Sequence, residues 1–257
     1  MDVVEHRTFF KSIQSINAYL LRMQKVIAIH QPNFIPWLGY FNKIYSADVF
    51  VVLDNVDYQS GNANSITNRT KIKTAQGELF IFVPVKKNAN SKLIKDIAID
   101  NQQPWQKKML KTIQLNYSKA KFFNEVFPVL EGVLGAKHEM FSAMNVELIK
   151  IFCRKLNITT PLVLASEMNL SSDEKNNRII EICKTLEATI YQSGNGARKY
   201  NDENLFAANN IELRYTSFSP AEYPQLHGAF IAGLSILDVV MNCGWEQTTV
   251  LVKGNQL

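Results

Sequence analysis

The sequence predicts an α/β fold, a three-layer Rossmann-like arrangement in which helices cover a mostly parallel sheet. Strand-like apolar runs alternate with amphipathic helical segments over most of the 257 residues. The first strand, loop, helix and second strand follow one another within about 30 residues, the length of a βαβ unit with parallel strands. We expect one such domain with an inserted or appended helical part.

The first half of the chain gives the sheet its first strands. VIAIH predicts a buried strand, YFNKIYSA a short helix and DVFVVLD a second strand. The polar stretch that follows, residues 55–74, is long for a loop in a compact domain, which is typical of functional or mobile segments. ELFIFVPV then alternates like a strand closed by Pro84, and LIKDIAID is a weaker strand candidate.

The second half begins with the helical part. Between Trp105 and Leu156, apolar residues at intervals of three and four predict three helices. PLVLASE predicts a strand, and Ser171 or Ser172 followed by acidic residues predicts a capping box before a helix. Strand, glycine-containing loop, helix and strand follow to residue 218. FIAGLSILDVVMNCG closes the pattern as a helix whose end Gly244 signals.

The composition excludes disordered, fibrous and membrane-spanning classes. Hydrophobic residues make up 46% of the chain and charged residues 20%. No apolar run approaches the roughly 20 residues of a membrane span, and the start is unlike a signal peptide, so we expect a cytoplasmic protein without membrane insertion. The net charge of +5 is mild and spread along the chain, and no nucleic-acid partner is expected. Cys153, Cys183 and Cys243 form no disulfide or zinc pattern. Cofactor and oligomeric state are left open.

Residues 1–22 have two interpretations. Met23 stands directly before QKVIAIHQP, so these residues can be an extension from an upstream start, with 23–257 forming the single domain. Alternatively, Phe9, Ile13, Ile16 and Leu20 have helical spacing and predict an amphipathic helix.

The run HQPNFIPWLGY follows the first strand, where ligands bind in open parallel sheets. Pro32 and Pro36 stiffen the backbone, Gly39 permits close approach, and the helix behind offers N–H groups suited to an anion. Candidate binding side chains on this stiff loop are His30, Gln31 and Asn33. The alternative is a structural turn with His30 hydrogen-bonded inside.

The same run has a nucleotidylyltransferase-like interpretation. In that fold a proline- and histidine-containing segment after a strand presents phosphate-binding imidazoles, and Pro32 to Tyr40 is the corresponding run, with Trp37 and Gly39 near those places. The histidines are absent, so only the architecture is expected to be related.

Two further segments offer polar groups. Alternation places Arg69, Lys71 and Lys73 on one side of an extended segment, where they would meet phosphates or a carboxylate, unless they are the charges of a protected edge strand. Asp54 ends the second strand and suits a sugar hydroxyl, a metal or a turn cap.

A glycine-containing loop and a later segment complete the candidates. QSGNGARKYND, with Ser193, Gly194 and Arg198, suits a phosphate or carboxylate, although a sharp strand-to-helix turn needs the same residues. YPQLHGAF places Gln225 before the last helix. We expect the HQPN, NRTKIK and QSGNGAR segments to line one cleft.

Together these motifs resemble the WbqC-like protein family, from Val26 to Leu251. The resemblance implies a role in the synthesis of O-antigen (lipopolysaccharide) or other surface polysaccharides, some with acylated amino sugars, and a nucleotide-linked or lipid-linked sugar as partner. It departs from the family pattern at Asn55, where a second acidic residue is usual, and in lacking a Trp before Asn68. The site residues it implies are His30, Gln31, Asn33, Pro36, Trp37, Gly39, Tyr40, Asn68, Arg69, Lys71, Ser193, Gly194 and Tyr200.

The resulting expectation is a transferase that forms an amide by acyl or aminoacyl transfer to an amino sugar. His30 is the expected general base, Gln31 and Asn33 orient the substrate, and Arg69 holds phosphate or carboxylate groups together with the Ser193–Gly194 loop. The alternatives are a nucleotidylyltransferase-like nucleotide-binding enzyme and a non-catalytic sugar-nucleotide-binding protein.

A chain that starts at Met23 is expected to fold, because the recognisable pattern begins at Val26. Cooperative thermal unfolding of this shortened chain, compared with the full chain, checks it. Loss of soluble protein would assign residues 1–22 to the core.

Overall fold

A computed structural model describes residues 24–59, 66–86 and 92–254. The two interpretations of residues 1–22 lie outside these ranges, as does the middle of the polar stretch. The chain divides into two compact units. The smaller unit holds the chain up to Ile29 and Leu170–Thr216, and the larger unit holds His30–Asn169 and the chain from Ser217.

The regular elements alternate between strands and helices, as expected. In chain order they are β1 (Val26–His30), α1 (Leu38–Tyr45), β2 (Val49–Val52), β3 (Arg69–Thr74), β4 (Gly77–Phe82), α2 (Trp105–Tyr117), α3 (Phe123–Leu134), α4 (Phe141–Lys155), β5 (Leu162–Leu164), α5 (Lys175–Thr185), β6 (Ile190–Ser193), α6 (Glu203–Ala208), β7 (Glu212–Tyr215) and α7 (Ile236–Lys253). In the described part of the chain, the smaller unit holds three parallel strands and the larger unit holds a parallel pair. The α/β class with a parallel sheet is therefore confirmed.

The smaller unit is a parallel three-stranded arrangement in the order β1-β6-β7. Tyr191 is in register with Ile27 on one side and Leu213 on the other. Its ring stacks on Phe206 of α6, with centroids 5.6 Å apart, and the apolar face of α5 is also buried. Helix and strand side chains thus share one small core.

The larger unit combines the parallel pair β2 and β5 with the antiparallel hairpin β3–β4 and five helices among its described residues. Phe152 of α4 packs between Phe41 of α1 and Trp245 of α7, at 5.8 and 5.5 Å between ring centroids. The Asn42 amide donates to the Val252 carbonyl at 2.8 Å, which joins α1 to α7. These contacts fix the helix that follows the HQPN loop, residues 30–37.

Three local predictions are wrong. LIKDIAID is a 3₁₀ turn, Ile94–Asp96, with isolated bridges instead of a strand. The cap of α5 is Glu174, which accepts from the Asn177 N–H, while Ser171 and Ser172 bond to Glu181. The last helix begins later, at Ile236, and continues beyond Gly244.

Gly244 still marks a break. Its φ of 75° lies in the left-handed region, so α7 is kinked there. A β-carbon at this position would also lie 2.7 Å from the Phe122 ring, so both the backbone conformation and the close packing require glycine here. Across the described ranges, no helix has the length and apolarity that crossing a bilayer requires.

Candidate functional site

His30 lies at the carboxyl end of β1 in a cluster of aromatic rings. Its ring centroid is 5.0 Å from that of Tyr40 and 5.8 Å from that of Trp37, and the rings meet edge to face. The residue is half-buried. The His30 carbonyl accepts from the Leu53 N–H at 2.8 Å, which ties the start of the HQPN loop to the end of β2.

The Gln31 carbonyl sets the tautomer of the imidazole. This oxygen lies 3.2 Å from His30 Nδ1 and accepts the Tyr40 hydroxyl at 2.9 Å. Because a carbonyl can only accept, Nδ1 carries the hydrogen in this bond, and Nε2 of the neutral ring is left as an acceptor. The arrangement therefore presents an imidazole lone pair at the end of a strand.

Burial keeps this imidazole neutral. Loss of hydration, with a smaller contribution from the nearby Lys43, lowers the pKa of His30 to about 3. Lys43 is itself only 5% exposed on α1, and burial lowers its pKa to about 7. The site thus pairs a neutral imidazole with an amine that changes charge near neutral pH.

The HQPN loop is anchored to the residues just before β3. The Phe34 N–H donates to the Thr67 carbonyl at 3.0 Å, and Thr70 Oγ1 donates to the Ile35 carbonyl at 2.9 Å. The buried Asn145 amide of α4 donates to the carbonyls of Pro32 and Thr67, at 2.7 and 2.9 Å. The loop is therefore rigid, and the first two predicted motifs adjoin each other.

Two amides of the HQPN loop differ in their bonding. The Gln31 Oε1 accepts the Thr67 hydroxyl at 3.3 Å. Asn33 is only 2% exposed, and its Nδ2 has no hydrogen-bond partner among the described residues. A buried donor without a partner is costly, and such groups are uncommon in folded proteins. The hydrogen bonds of the described structure therefore give no structural reason for the Asn33 amide.

Gly39 is required by the indole of Trp37. A β-carbon at residue 39 would lie 2.8 Å from Trp37 Nε1 and 3.3 Å from the Phe218 ring. The glycine thus lets the indole lie over the first turn of α1, where it also contacts His30. The absence of a side chain at residue 39 thus positions Trp37, and ligand binding by Gly39 stays a prediction.

Asp54 caps a turn. Its two carboxylate oxygens accept from the Ser166 N–H at 2.9 Å and the Ser166 hydroxyl at 2.7 Å. The carboxylate is buried at the start of the turn Ala165–Glu167. Of the three roles expected for Asp54, the structure displays the turn cap. Within residues 24–59, 66–86 and 92–254, no three His, Cys, Asp or Glu side chains are grouped to hold a metal.

Two of the three basic side chains of β3, those of Arg69 and Lys71, are partly exposed on the outer face of the hairpin. The Arg69 guanidinium is 4.5 Å from the centroid of the Phe80 ring, and Lys71 pairs with Glu78 at 2.6 Å. Asn68 donates to the Val83 carbonyl at 3.0 Å, which closes the open end of the hairpin. Arg69 and Lys71 are on the face opposite to Thr70, whose hydroxyl bonds to the HQPN loop.

Lys73 and Gln225 hold the irregular segment 218–235 against β3. Lys73 is buried, and its ammonium donates to Gln225 Oε1 and to the carbonyls of Gly228 and Ala229, at 2.6 to 3.1 Å. The Gln225 amide also exchanges two hydrogen bonds with the main chain of Ile231. Gln225 is thus saturated by structural partners.

The QSGNGAR candidates belong to the smaller unit. Ser193 is fully buried and accepts the Asn201 amide at 3.0 Å, while Arg198 lies 4.2 Å from the Tyr215 ring centroid. Gly194 precedes the 3₁₀ turn Asn195–Tyr200, and the exposed Tyr200 ring has Lys175 and Lys199 over it. That this loop joins the other two segments in one cleft stays a prediction.

Two residues of the larger unit were missed by sequence reasoning. Lys43 and Asn145 both occur in helices on faces that are otherwise apolar, beside Tyr40 and Ile44 in α1 and beside Phe141 and Leu148 in α4. A charged or amide side chain on a core-facing stripe was the signal available in the sequence.

Gly39→Ala is expected to destabilise the protein although alanine is the better helix former. The new methyl group must displace Trp37, whereas Gly132→Ala in α3 meets open space and should stabilise by about 0.5–1 kcal/mol. Denaturant unfolding of both variants measures the difference, and Trp fluorescence reports the movement of the indole. Equal stabilisation of both variants would contradict this role.

Lys43→Met is expected to stabilise the protein at pH 7. The pKa of Lys43 is lowered from 10.5 to about 7 on folding, so between these values the unfolded chain binds a proton that the folded protein does not. Stability therefore rises with pH across this window, by on the order of 1 kcal/mol per pH unit, and the full penalty is present below pH 7.

The variant should lack this rise. Urea unfolding at several pH values checks it, with Lys150→Met, at an exposed position of the adjacent α4 helix, as the matched control. A parallel pH dependence in the Lys43 variant and the wild type would show that the buried amine keeps an ordinary pKa.

Comparison with known proteins agrees with the motifs. Residues 31–250 match the WbqC-like protein family. The chain is also 35% identical over 225 residues to an uncharacterized protein of Mycobacterium tuberculosis (strain ATCC 25618 / H37Rv), Rv1507c, and the match covers 86% of this chain and 95% of that protein. No solved structure matches the chain significantly. On the extent of these two sequence matches, the chain belongs to the WbqC-like protein family.

Proposed function

We propose that the protein is a transferase of surface-polysaccharide biosynthesis that forms an amide on an amino sugar, with the sugar carried by a nucleotide or a lipid. Family membership supports the setting, because the family resemblance implies enzymes of O-antigen and related pathways. The observation that carries the chemistry is the neutral His30 imidazole, with Nδ1 held by the Gln31 carbonyl and Nε2 left as an acceptor.

Amide formation requires a base at this kind of position. A sugar amine that attacks an acyl carbonyl must lose a proton, and a positioned imidazole accepts it in many enzymes. In this proposal His30 Nε2 accepts the proton as the C–N bond forms, and the imidazolium then returns it to the leaving group of the acyl donor, which departs with the electron pair of the broken acyl bond. Asn33 Nδ2 and the Gln31 amide orient the amino sugar. The buried Asn33 donor has no partner among the described residues, and this supports the role, since a substrate oxygen would supply an acceptor.

The low pKa of His30 constrains the mechanism. An imidazole with a pKa of about 3 accepts a proton only where negative charge lies beside it. The developing oxyanion and a substrate phosphate both supply such charge during acyl transfer. Proton transfer is therefore coupled to substrate binding, and free His30 stays neutral throughout the physiological pH range.

Arg69 is the proposed partner for a phosphate or carboxylate in the larger unit. Because it lies on the hairpin face opposite to Thr70 and the HQPN loop, it would hold a part of the substrate away from the reacting amine. Its planar guanidinium suits bidentate anion binding, and the Phe80 ring supports one face of it. The Ser193–Gly194 loop of the smaller unit remains a separate candidate for the same ligand class.

A nucleotide-binding enzyme is the second candidate, with the three-layer Rossmann-like architecture of nucleotidylyltransferases. It is favoured by the connection from β1 to α1: no side chain caps the first turn of α1 at Trp37, so the helix N–H groups there suit a phosphate. Thermal shift with nucleotides, acyl donors and nucleotide-linked amino sugars separates the candidates, because a specific ligand stabilises the fold.

His30→Gln is expected to reduce amide formation by at least about 100-fold while binding of the nucleotide-linked sugar survives. Glutamine keeps a polar side chain but removes the base. Product formation is measured by mass spectrometry beside the unfolding midpoint, so that a folding defect is not read as a catalytic one. The pH–rate profile should show no inflection near 6.5 from His30, because its pKa is about 3.

His138→Gln is the matched control. His138 is also half-buried and bonds a main-chain carbonyl, that of Val133, at 2.8 Å, but it lies outside the HQPN loop. Retained turnover in the His30 variant would assign His30 a structural role. Sugar-nucleotide binding by a wild type that turns over no acyl donor would favour a non-catalytic binding protein.

A further inference from the structure

The β4 strand has an open edge. Within the hairpin, Lys71 is opposite Phe80 and Lys73 is opposite Glu78. The Lys71 carbonyl accepts from the Ser235 N–H and the Lys73 N–H donates to the Tyr117 hydroxyl, so both residues direct these main-chain groups away from β4. In an antiparallel ladder the residues opposite them do the same.

The main-chain groups of Glu78, Phe80 and Phe82 therefore face outward on the far side of β4. Among the described residues, none of these groups bonds to a segment other than the hairpin itself. Such a row of unpaired donors and acceptors is a template for another strand. Residues 79–82 carry no charge or proline of the kind that usually protects an edge, and the one charge of β4, that of Glu78, is paired with Lys71 of the same hairpin.

The same edge is apolar and borders a cavity. Phe82 is 57% exposed, and Leu79 and Phe80 are each about 40% exposed. A cavity of about 490 Å³ lies between β4 and α2, lined by Leu79 and Ile81 on one side and by Trp105 and Met109 on the other. A strand added to β4 would place its inner-face side chains at this cavity.

We propose that this edge pairs with β4 of a second copy of the chain, antiparallel about a two-fold axis at Phe80. This register pairs Phe80 with Phe80 of the second copy and Glu78 with Phe82 of the second copy. It is the symmetric register that matches all three outward-facing residues of β4 with one another. The two hairpins become one four-stranded sheet.

The side chains favour a second copy as the occupant. On the inner face, Leu79 meets Ile81 of the second copy beside the cavity, so two apolar residues cover the exposed lining. On the outer face, Arg69 is opposite Phe82 in its own hairpin, and Phe82 would be opposite Glu78 of the second copy. The Cα atoms of Arg69 and of that glutamate would then be two strand spacings apart, about 10 Å across the sheet. An arginine and a glutamate together span that distance, so the register also brings opposite charges together.

The mass of the full chain in solution tests the pairing. Light scattering across a concentration series is expected to give about twice the 29.3 kDa chain mass. Phe80→Lys should weaken the dimer about tenfold or more, because two like charges would face each other at the axis. Leu115→Lys is the matched control, since Leu115 is 72% exposed on α2 and should leave the dimer intact.

A register-specific cross-link keeps the test decisive if Phe80→Lys folds poorly. Directly opposed residues of a hydrogen-bonded antiparallel pair have Cα atoms about 5.5 Å apart, within the range of a disulfide. Phe80→Cys should therefore form a covalent dimer on oxidation, and Leu115→Cys should not. A wild type that is monomeric at every concentration, a dimer that persists in folded Phe80→Lys, or the absence of a cross-link at residue 80 would each overturn the proposal.

Discussion

The HQPN loop depends on one buried amide, that of Asn145. Pro32 and Pro36 have no N–H, so this loop cannot join a strand ladder through those residues, and its buried carbonyls need donors from elsewhere. Asn145 donates both of its amide hydrogens, to the Pro32 and Thr67 carbonyls. A carboxylate there would only accept, and an apolar residue would leave both carbonyls without this donor. The helix α4 thereby fixes the separation between the loop and the start of β3.

The sequence predicted much of the fold because periodicity is a local property. The strands β1, β2 and β4 and the helices α2 to α4 follow from spacing alone. LIKDIAID fails because its main chain is engaged by distant segments: Ile94 bonds to Val56 and Ile99 to Glu139. The same limit applies to the site. Asp54 and Gln225 stand in plausible positions, but their partners, Ser166 and Lys73, lie 112 and 152 residues away, so their structural roles could not be read locally.

Two buried lysines, Lys73 and Lys43, differ in their surroundings. Lys73 is surrounded by three acceptors that satisfy its ammonium, so it holds the segment 218–235 in place, as a structural ion does. Lys43 differs in its pKa, which burial lowers to about 7, so that its charged form is disfavoured in the folded protein.

The position of Lys43 beside His30 gives that charge a physical consequence. Each proton bound by one group disfavours a proton on the other, which contributes to the low pKa of His30. An anion in the site reverses the balance, because it attracts a proton to the amine and stabilises an imidazolium at the same time. Since Lys43 titrates near pH 7, binding of a phosphate or carboxylate there would be accompanied by proton uptake. A phosphate or carboxylate bound beside these two groups would therefore make their surroundings more positive, and under the proposed function the imidazole would gain its basicity from that ligand.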